Sequence, residues 1–351
     1  MNFIITLLIL FVMLGLIISI HEFGHFIAAK KCGVYVDEFS LGMGPLIFKH
    51  KPKNSETTYS LRLLPIGGFV SMAEKEEKKS KIKKDRILAN KSFLETLWVL
   101  IDGIVFNFIL AIVLFFISGL IYGKPVQLPV VDSVVSDGAA YSVGIESGDK
   151  ILKVNDVKVK SLYDFRIEVA GKKAKDSYVF EVEKLDGSIQ KYTISPKIET
   201  DEDGQETRVF GIMFKGTEYK KGFKNALSYG FSGFAENFGT IFKILKSLFT
   251  GEVSVDNLSG PVGIYSMVDS VKSEGLQVLI FLTAYLSINV GVVNLFPIPV
   301  FDGGRILILI IEKIIGRKTN EKLENALNVI GFGLMILLMI YVTFNDIVRL
   351  I

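Results

Sequence analysis

Apolar and polar positions alternate on a coarse scale along the chain, with four long apolar runs separated by stretches rich in charge. The runs cover Phe3 to Ile20, Phe93 to Tyr122, Val278 to Phe296 and Val329 to Ile347, each long enough to cross hydrocarbon, for which a helix needs roughly 20 residues. Four transmembrane helices are expected. The stretches between them follow other periods. From Thr57 to Val70 apolar residues alternate in part and are interrupted at Pro65-Ile66-Gly67-Gly68, which suits a hairpin rather than a helix. This segment is apolar for a loop. It fits a re-entrant hairpin dipping toward membrane depth, where irregular backbone survives only in a protein-lined setting, and it equally fits an ordinary cytoplasmic hairpin.

From about Val126 to Lys197 the apolar runs shorten, as in Val130-Val131, Val134-Val135 and Gly148-Asp149-Lys150-Ile151-Leu152-Lys153-Val154. Strands, turns and one helix are expected there, in a β-rich domain with a single core. After it, Phe223, Leu227, Phe231, Phe234, Phe238, Ile241 and Leu245 recur at steps of three and four with lysines between them. That pattern predicts an amphipathic helix, and its aromatic face with basic flanks suits one lying on the bilayer surface better than one packed on the β-rich domain.

Composition strengthens the membrane reading: half of the 351 residues are hydrophobic and 27 are phenylalanine. The expected fold class is an α-helical polytopic membrane protein with an inserted β-rich domain. Its parts are a first membrane half (1–123), the β-rich domain (126–198), a connector (199–276) and a second membrane half (277–351). A net charge of +3, with no basic residues interleaved with aromatics, argues against nucleic acid as a partner. One cysteine, Cys32, leaves no internal disulfide. No basic n-region or small-residue cleavage site surrounds the first apolar run, so it is expected to stay as a span rather than leave as a signal peptide.

Short-loop lysines and arginines set the expected orientation. The stretch Lys75 to Arg86, and Arg305, Lys313, Arg317, Lys318 and Lys322 between the third and fourth runs, should both face the cytoplasm. The segment from Gly123 to about Leu276 is then extracytoplasmic.

The candidate chemistry sits at the end of the first run, in His21-Glu22-Phe23-Gly24-His25. On a helix the two histidines lie one turn apart on one face, the spacing that lets two imidazoles grip one zinc ion, and Glu22 is placed to take a proton from water. Ionisable groups at membrane depth are costly and are retained for function. A hydrolytic zinc site needs a third protein ligand. His50 and Cys32 are candidates, and Asp302 is a better one. It follows Asn294-Leu295-Phe296-Pro297-Ile298-Pro299-Val300-Phe301, where two prolines break the helix, and it precedes Gly303-Gly304, which let the chain turn sharply. Asn294, polar at the end of an apolar run, could donate to a developing oxyanion or join two helices. Asn107 in the second run raises the same two options.

Together these segments resemble the bacterial site-2 protease family, intramembrane zinc metalloproteases that carry PDZ domains. The likeness rests on H-E-x-x-H, on Phe39-Ser40-Leu41-Gly42-Met43-Gly44-Pro45, on Leu64-Pro65-Ile66-Gly67-Gly68-Phe69-Val70, on Ser259-Gly260-Pro261-Val262-Gly263-Ile264, and on the closing N-x-x-P-x-P-x-x-D-G-G. The resemblance implies zinc bound by His21, His25 and Asp302, Glu22 as general base, Asn294 assisting at the substrate, a re-entrant hairpin and one PDZ domain at about 126–198. It further implies single-span membrane proteins as substrates, such as anti-sigma factors or remnant signal peptides, in a multi-pass protein of the bacterial plasma membrane. Two positions depart from the family pattern. Phe301 stands where leucine is usual before the aspartate, and Asp102-Gly103-Ile104 where an alanine-glycine-proline opening is common. A non-catalytic PDZ scaffold and a metal or proton transporter would also place His and Asp in a membrane. A scaffold has no need of Glu22, and a transporter needs polar residues spread along several spans.

Overall fold

Residues 2–75, 82–169, 177–200, 206–250 and 259–350 are described by a computed structural model. Half of the basic stretch at 75–86 therefore lies outside the described residues. The chain divides into two units, residues 1–121 with 226–351, and residues 122–225.

The first unit opens with α1 (Asn2–Lys31), whose last third carries His21 to His25. Lys30 and Lys31 complement the carbonyl end of its dipole, and Gly33, with φ +68°, lets the chain leave in the left-handed conformation. Two long strands follow, β1 (Val36–His50) and β2 (Thr58–Met72). Each folds back on itself, so four segments lie side by side in the order 68–72, 36–41, 58–61 and 46–50. The two arms of the expected 57–70 hairpin thus embrace β1 and do not pair with each other. At the bend, a Cβ on Gly42 would come within 2.7 Å of the Leu64 carbonyl oxygen, which is why glycine is needed there.

β2 lies along α1. A Cβ on Gly15 would strike the Pro65 carbonyl oxygen, Gly67 sits against Ile18, and the Val70 N–H donates to Glu22. α2 (Phe93–Ile121) starts with a capping box in which Ser92 and Glu95 satisfy each other's backbone N–H groups. It crosses α1 where Gly24 meets the Asp102 carbonyl, an approach possible only without a side chain.

The second unit contains β3 (Lys124–Val126), β4 (Val131–Val134), α3 (Ala139–Ser142), β5 (Lys150–Val154), β6 (Val157–Lys158), α4 (Leu162–Val169), β7 (Tyr178–Glu183), β8 (Ile189–Ile194), β9 (Lys197–Thr200), β10 (Glu206–Val209), β11 (Ile212–Phe214) and β12 (Glu218–Lys220). An antiparallel sheet runs β6-β5-β7-β8, and Asn155 and Asp156, both with positive φ, make its tightest turn. Ile151, Val154, Tyr178, Phe180 and Ile194 form the centre of its core. This unit is wider than the expected 126–198, because β11 returns to pair with β4 and β12 with β3. It also holds two helices where one is expected.

The first unit resumes in α5 (Phe223–Thr250), the expected amphipathic helix. Part of its apolar stripe packs on α2. Ala226 meets Gly119, Gly230 meets Ile112 and Phe116, and Phe234 and Phe238 stack around Phe108. α5 therefore runs antiparallel along α2, because its small and aromatic residues form a stripe that fits a neighbouring helix. α6 (Pro261–Val271) follows, with Pro261 in its first turn and the buried Asp346 accepting from the Gly260 and Gly263 N–H groups. Then come α7 (Leu276–Asn294), α8 (Asp302–Ile315) and α9 (Glu321–Leu350), the last of which supplies Asp346. The basic segment expected as a loop between the third and fourth runs is mostly α8. Among the described residues, four helices are long and apolar enough to cross a membrane, within Phe3–Lys31, Phe93–Ile121, Leu276–Asn294 and Lys322–Arg349.

Candidate metal centre

Three ligand-type side chains meet where α1, α2 and the start of α8 come together. His21 Nε2 and His25 Nε2 lie 3.1 Å apart, and Asp302 Oδ2 is 3.1 Å from the first and 3.4 Å from the second. The two histidines are buried and Asp302 nearly so. His50 and Cys32 are not in this group. The aspartate arrives because α7 ends at Asn294 and the chain doubles back through the two prolines. A Cβ on Gly303 would overlap the Leu295 carbonyl and one on Gly304 the Ile298 carbonyl, so only glycine permits the turn.

The donor set fits a cation. Asp302 Oδ2 is buried without a hydrogen-bond donor directed at it, although two imidazole nitrogens lie within 3.4 Å. Three acceptor atoms facing a common point repel one another unless a positive charge lies between them. Two imidazoles and a carboxylate are a ligand set suited to zinc in a hydrolytic site.

α2 supplies the other wall. Val99, Gly103 and Asn107 stand at successive four-residue steps facing α1. The Val99 carbonyl accepts from His25 Nδ1 at 2.7 Å, which fixes the proton on Nδ1 and leaves Nε2 with a free lone pair. A Cβ on Gly103 would lie 2.4 Å from His25 Nε2 and 2.9 Å from His21 Cε1. The Asn107 amide lies 3.2 Å from His21 Nδ1. Val99 is not marked as functional by its sequence context, since a carbonyl has no residue signature, and Gly103 enters the sequence reading only within Asp102-Gly103-Ile104. Asn107 is visible in the sequence as a polar residue in an apolar run.

A cavity of about 340 Å³ joins the three donors to Glu22, Asn294 and Arg305. Glu22 Oε2 accepts from the Val70 N–H at 3.1 Å, so the carboxylate is held between the histidine helix and the outer segment of β2. A larger cleft of about 1020 Å³ shares Met72, Glu74, Val300 and Arg305 with this cavity. His21, Glu22, His25, Asn294 and Asp302 thus line one cavity, whereas the other candidates His50, Cys32 and Asn107 are not among its lining residues.

Comparison with known proteins agrees with this geometry. Residues 9–338 match peptidase family M50. A protein named as a zinc metalloprotease from Clostridium acetobutylicum is 36% identical over 334 residues, 95% of each chain. The regulator of sigma-W protease RasP from Bacillus subtilis is 31% identical over 426 residues, 99% of each chain. Among solved structures, the PDZ domain of an SdrC-like protein from Listeria innocua matches at 20% identity, covering 26% of this chain and 99% of that one, with a TM-score of 0.22. Since the family match and these relatives extend over the histidine helix, the aspartate turn and nearly everything between, the chain belongs to peptidase family M50, the site-2 protease family of membrane zinc metalloendopeptidases.

Proposed function

We propose that this multi-pass membrane protein hydrolyses peptide bonds within transmembrane segments of single-span membrane proteins. His21, His25 and Asp302 hold zinc, Glu22 is the general base, and Asn294 assists at the substrate. The observation that carries the reading is the convergence of three acceptor atoms beside a carboxylate, in one cavity walled by two long apolar helices. Bound there, zinc supplies Lewis acidity to the scissile carbonyl and to the attacking water. Glu22 takes the proton from that water and passes it to the leaving amine, its carboxylate kept in place by the Val70 N–H. Asn294 lines the same cavity and offers an amide N–H to the oxygen that gains charge as the carbonyl is attacked.

A helical substrate hides its carbonyls, so part of it must unwind. The outer segment of β2, residues 68–72, pairs with β1 on one side only, and on the other its Val70 N–H reaches Glu22. A substrate strand added along this edge would have its freed backbone groups satisfied beside the base. Membrane depth for the hairpin is supported by residues 65–70 running beside Gly15 to Glu22 of α1, and by exposed Leu41, Met43, Leu46, Phe48 and Leu63. The positive-inside rule puts the zinc near the cytoplasmic side and residues 122–225, read as a PDZ-like domain that docks or sizes substrates, outside. Anti-sigma factors and remnant signal peptides are the substrate classes proposed.

The test uses purified chain reconstituted with a single-span peptide. Wild type should cleave it and lose activity with a chelator, whereas Glu22→Gln should fall by about 10²–10⁴-fold with its zinc content unchanged. Full turnover by Glu22→Gln would remove Glu22 from the base role.

A further inference from the structure

The two imidazoles are not secured alike. Each must present an unprotonated Nε2 to a metal, so each needs an acceptor that holds the proton on Nδ1. For His25 that acceptor is the Val99 carbonyl, which can play no other part. For His21 the partner is the amide of Asn107, which can either donate or accept depending on which way it is turned. Asn107 is fully buried in α2, and its Oδ1 has no hydrogen-bond partner. The amide nitrogen and oxygen are related by a half-turn of the side chain, and the turn that brings Oδ1 to the imidazole gives His21 its acceptor.

The geometry points to Asn107 as the positioning residue for His21: with Oδ1 turned toward Nδ1 it keeps the proton there and aims the Nε2 lone pair at the zinc. This rests on the assignment of His21, His25 and Asp302 as the ligands. Toward α1 the residue turns its amide onto the His21 ring. Here α7 bonds to the residue differently, the Ser287 hydroxyl donating to the Asn107 backbone carbonyl at 2.8 Å. That contact ties α2 to the helix that leads to Asn294 and Asp302, and leaves the amide to the imidazole. Four-residue spacing from Val99 through Gly103 to Asn107 then gives α2 one carbonyl acceptor, one gap and one amide acceptor, matched to the one-turn spacing of the histidines.

Zinc affinity of the full chain in detergent, by competition with a chromophoric chelator, tests this without reference to activity. Asn107→Leu should weaken binding by about 10–100-fold. Asn107→Asp, of the same shape but able only to accept, should stay within about threefold of wild type and keep the wild-type absorption spectrum of the cobalt-substituted protein. Asp302→Asn is the control for the ligand set. If Asp302→Asn loses zinc and Asn107→Leu binds it as wild type does, the positioning role is overturned. Equal loss in the folded Asn107→Asp protein overturns it too, and this variant decides the matter if the leucine variant does not fold. Unchanged affinity in Asp302→Asn would overturn the ligand assignment and this inference with it.

Discussion

The two units are built in opposite senses. Residues 122–225 bury Ile151, Tyr178 and Phe180 and put their charges outside in pairs such as Lys153–Glu181. The membrane unit exposes Val12, Leu94, Val329 and Ile340 and buries Thr6, His21, His25, Asn107 and Ser287. Water rewards the first arrangement and lipid the second. In the membrane unit the inward polar groups have nowhere to discharge their hydrogen bonds except onto one another or the backbone, as Thr6 does on Asp269, Ser287 on the Asn107 carbonyl and His25 on the Val99 carbonyl. The contrast teaches that a buried polar group in the β-rich unit, such as Asp149 held by Lys184, closes an ion pair, whereas in the membrane unit such groups serve contacts between helices, as Asp346 and Ser287 do, or gather in the cluster of His21, His25 and Asn107.

Substitutions of glycine should break this comparison most sharply. Gly103→Ala puts a methyl where His25 Nε2 must point, and we expect loss of both bound zinc and peptide cleavage, measured by elemental analysis and turnover. Gly187→Ala, in a turn of the β-rich unit with φ +83° and open space around it, should cost only about 1–2 kcal/mol of backbone strain and leave zinc untouched. Charge on exposed apolar positions should separate the units next. Val12→Lys, midway along α1, should cost about 2.5–3.5 kcal/mol of insertion and lower the amount of protein in the membrane fraction. Leu185→Lys, on the β-rich unit and 82% exposed, should change stability by no more than about 0.5 kcal/mol in a thermal melt.

The smallest effect is expected where the membrane unit meets water and follows aqueous rules. Arg86 and then Lys30 hold the Glu56 carboxyl down at about 2, tying the β1–β2 loop to the end of α1. A carboxyl lowered on folding stabilises above its unfolded value of about 4.3 and loses that contribution as pH falls toward its folded value. Protection against hydrogen exchange over residues 51–57, taken relative to the intrinsic amide rate at each pH, should therefore fall between about pH 5 and pH 2 in wild type, and show no such step in Glu56→Gln. An unchanged profile in wild type would show that the pair does not hold the loop.

The spans were legible because lipid imposes a length and a composition that a local window of sequence reveals. His21, Glu22 and His25 were legible because one helical turn relates them. Asp302 is legible from its setting of prolines and glycines, although the sequence leaves His50 and Cys32 open and only the fold brings the aspartate, and neither of those two, to the histidines. The 57–70 segment was seen as a hairpin, yet β1 lies between its arms, since long-range pairing is not written in alternation. α5 has a visible apolar stripe, and the sequence does not say that part of it packs on α2 and α7.

By itself the sequence determined the helices, the pair of imidazoles and the carboxylate beside them, all set by contacts within about one turn or by the solvent a segment can enter. Only the tertiary structure decided which distant carboxylate closes the site, and which groups on α2 orient the two rings. Those depend on a backbone carbonyl at Val99, a missing side chain at Gly103 and an amide at Asn107 being brought against α1 by packing between helices far apart in the chain. Packing of that kind leaves no local period to read.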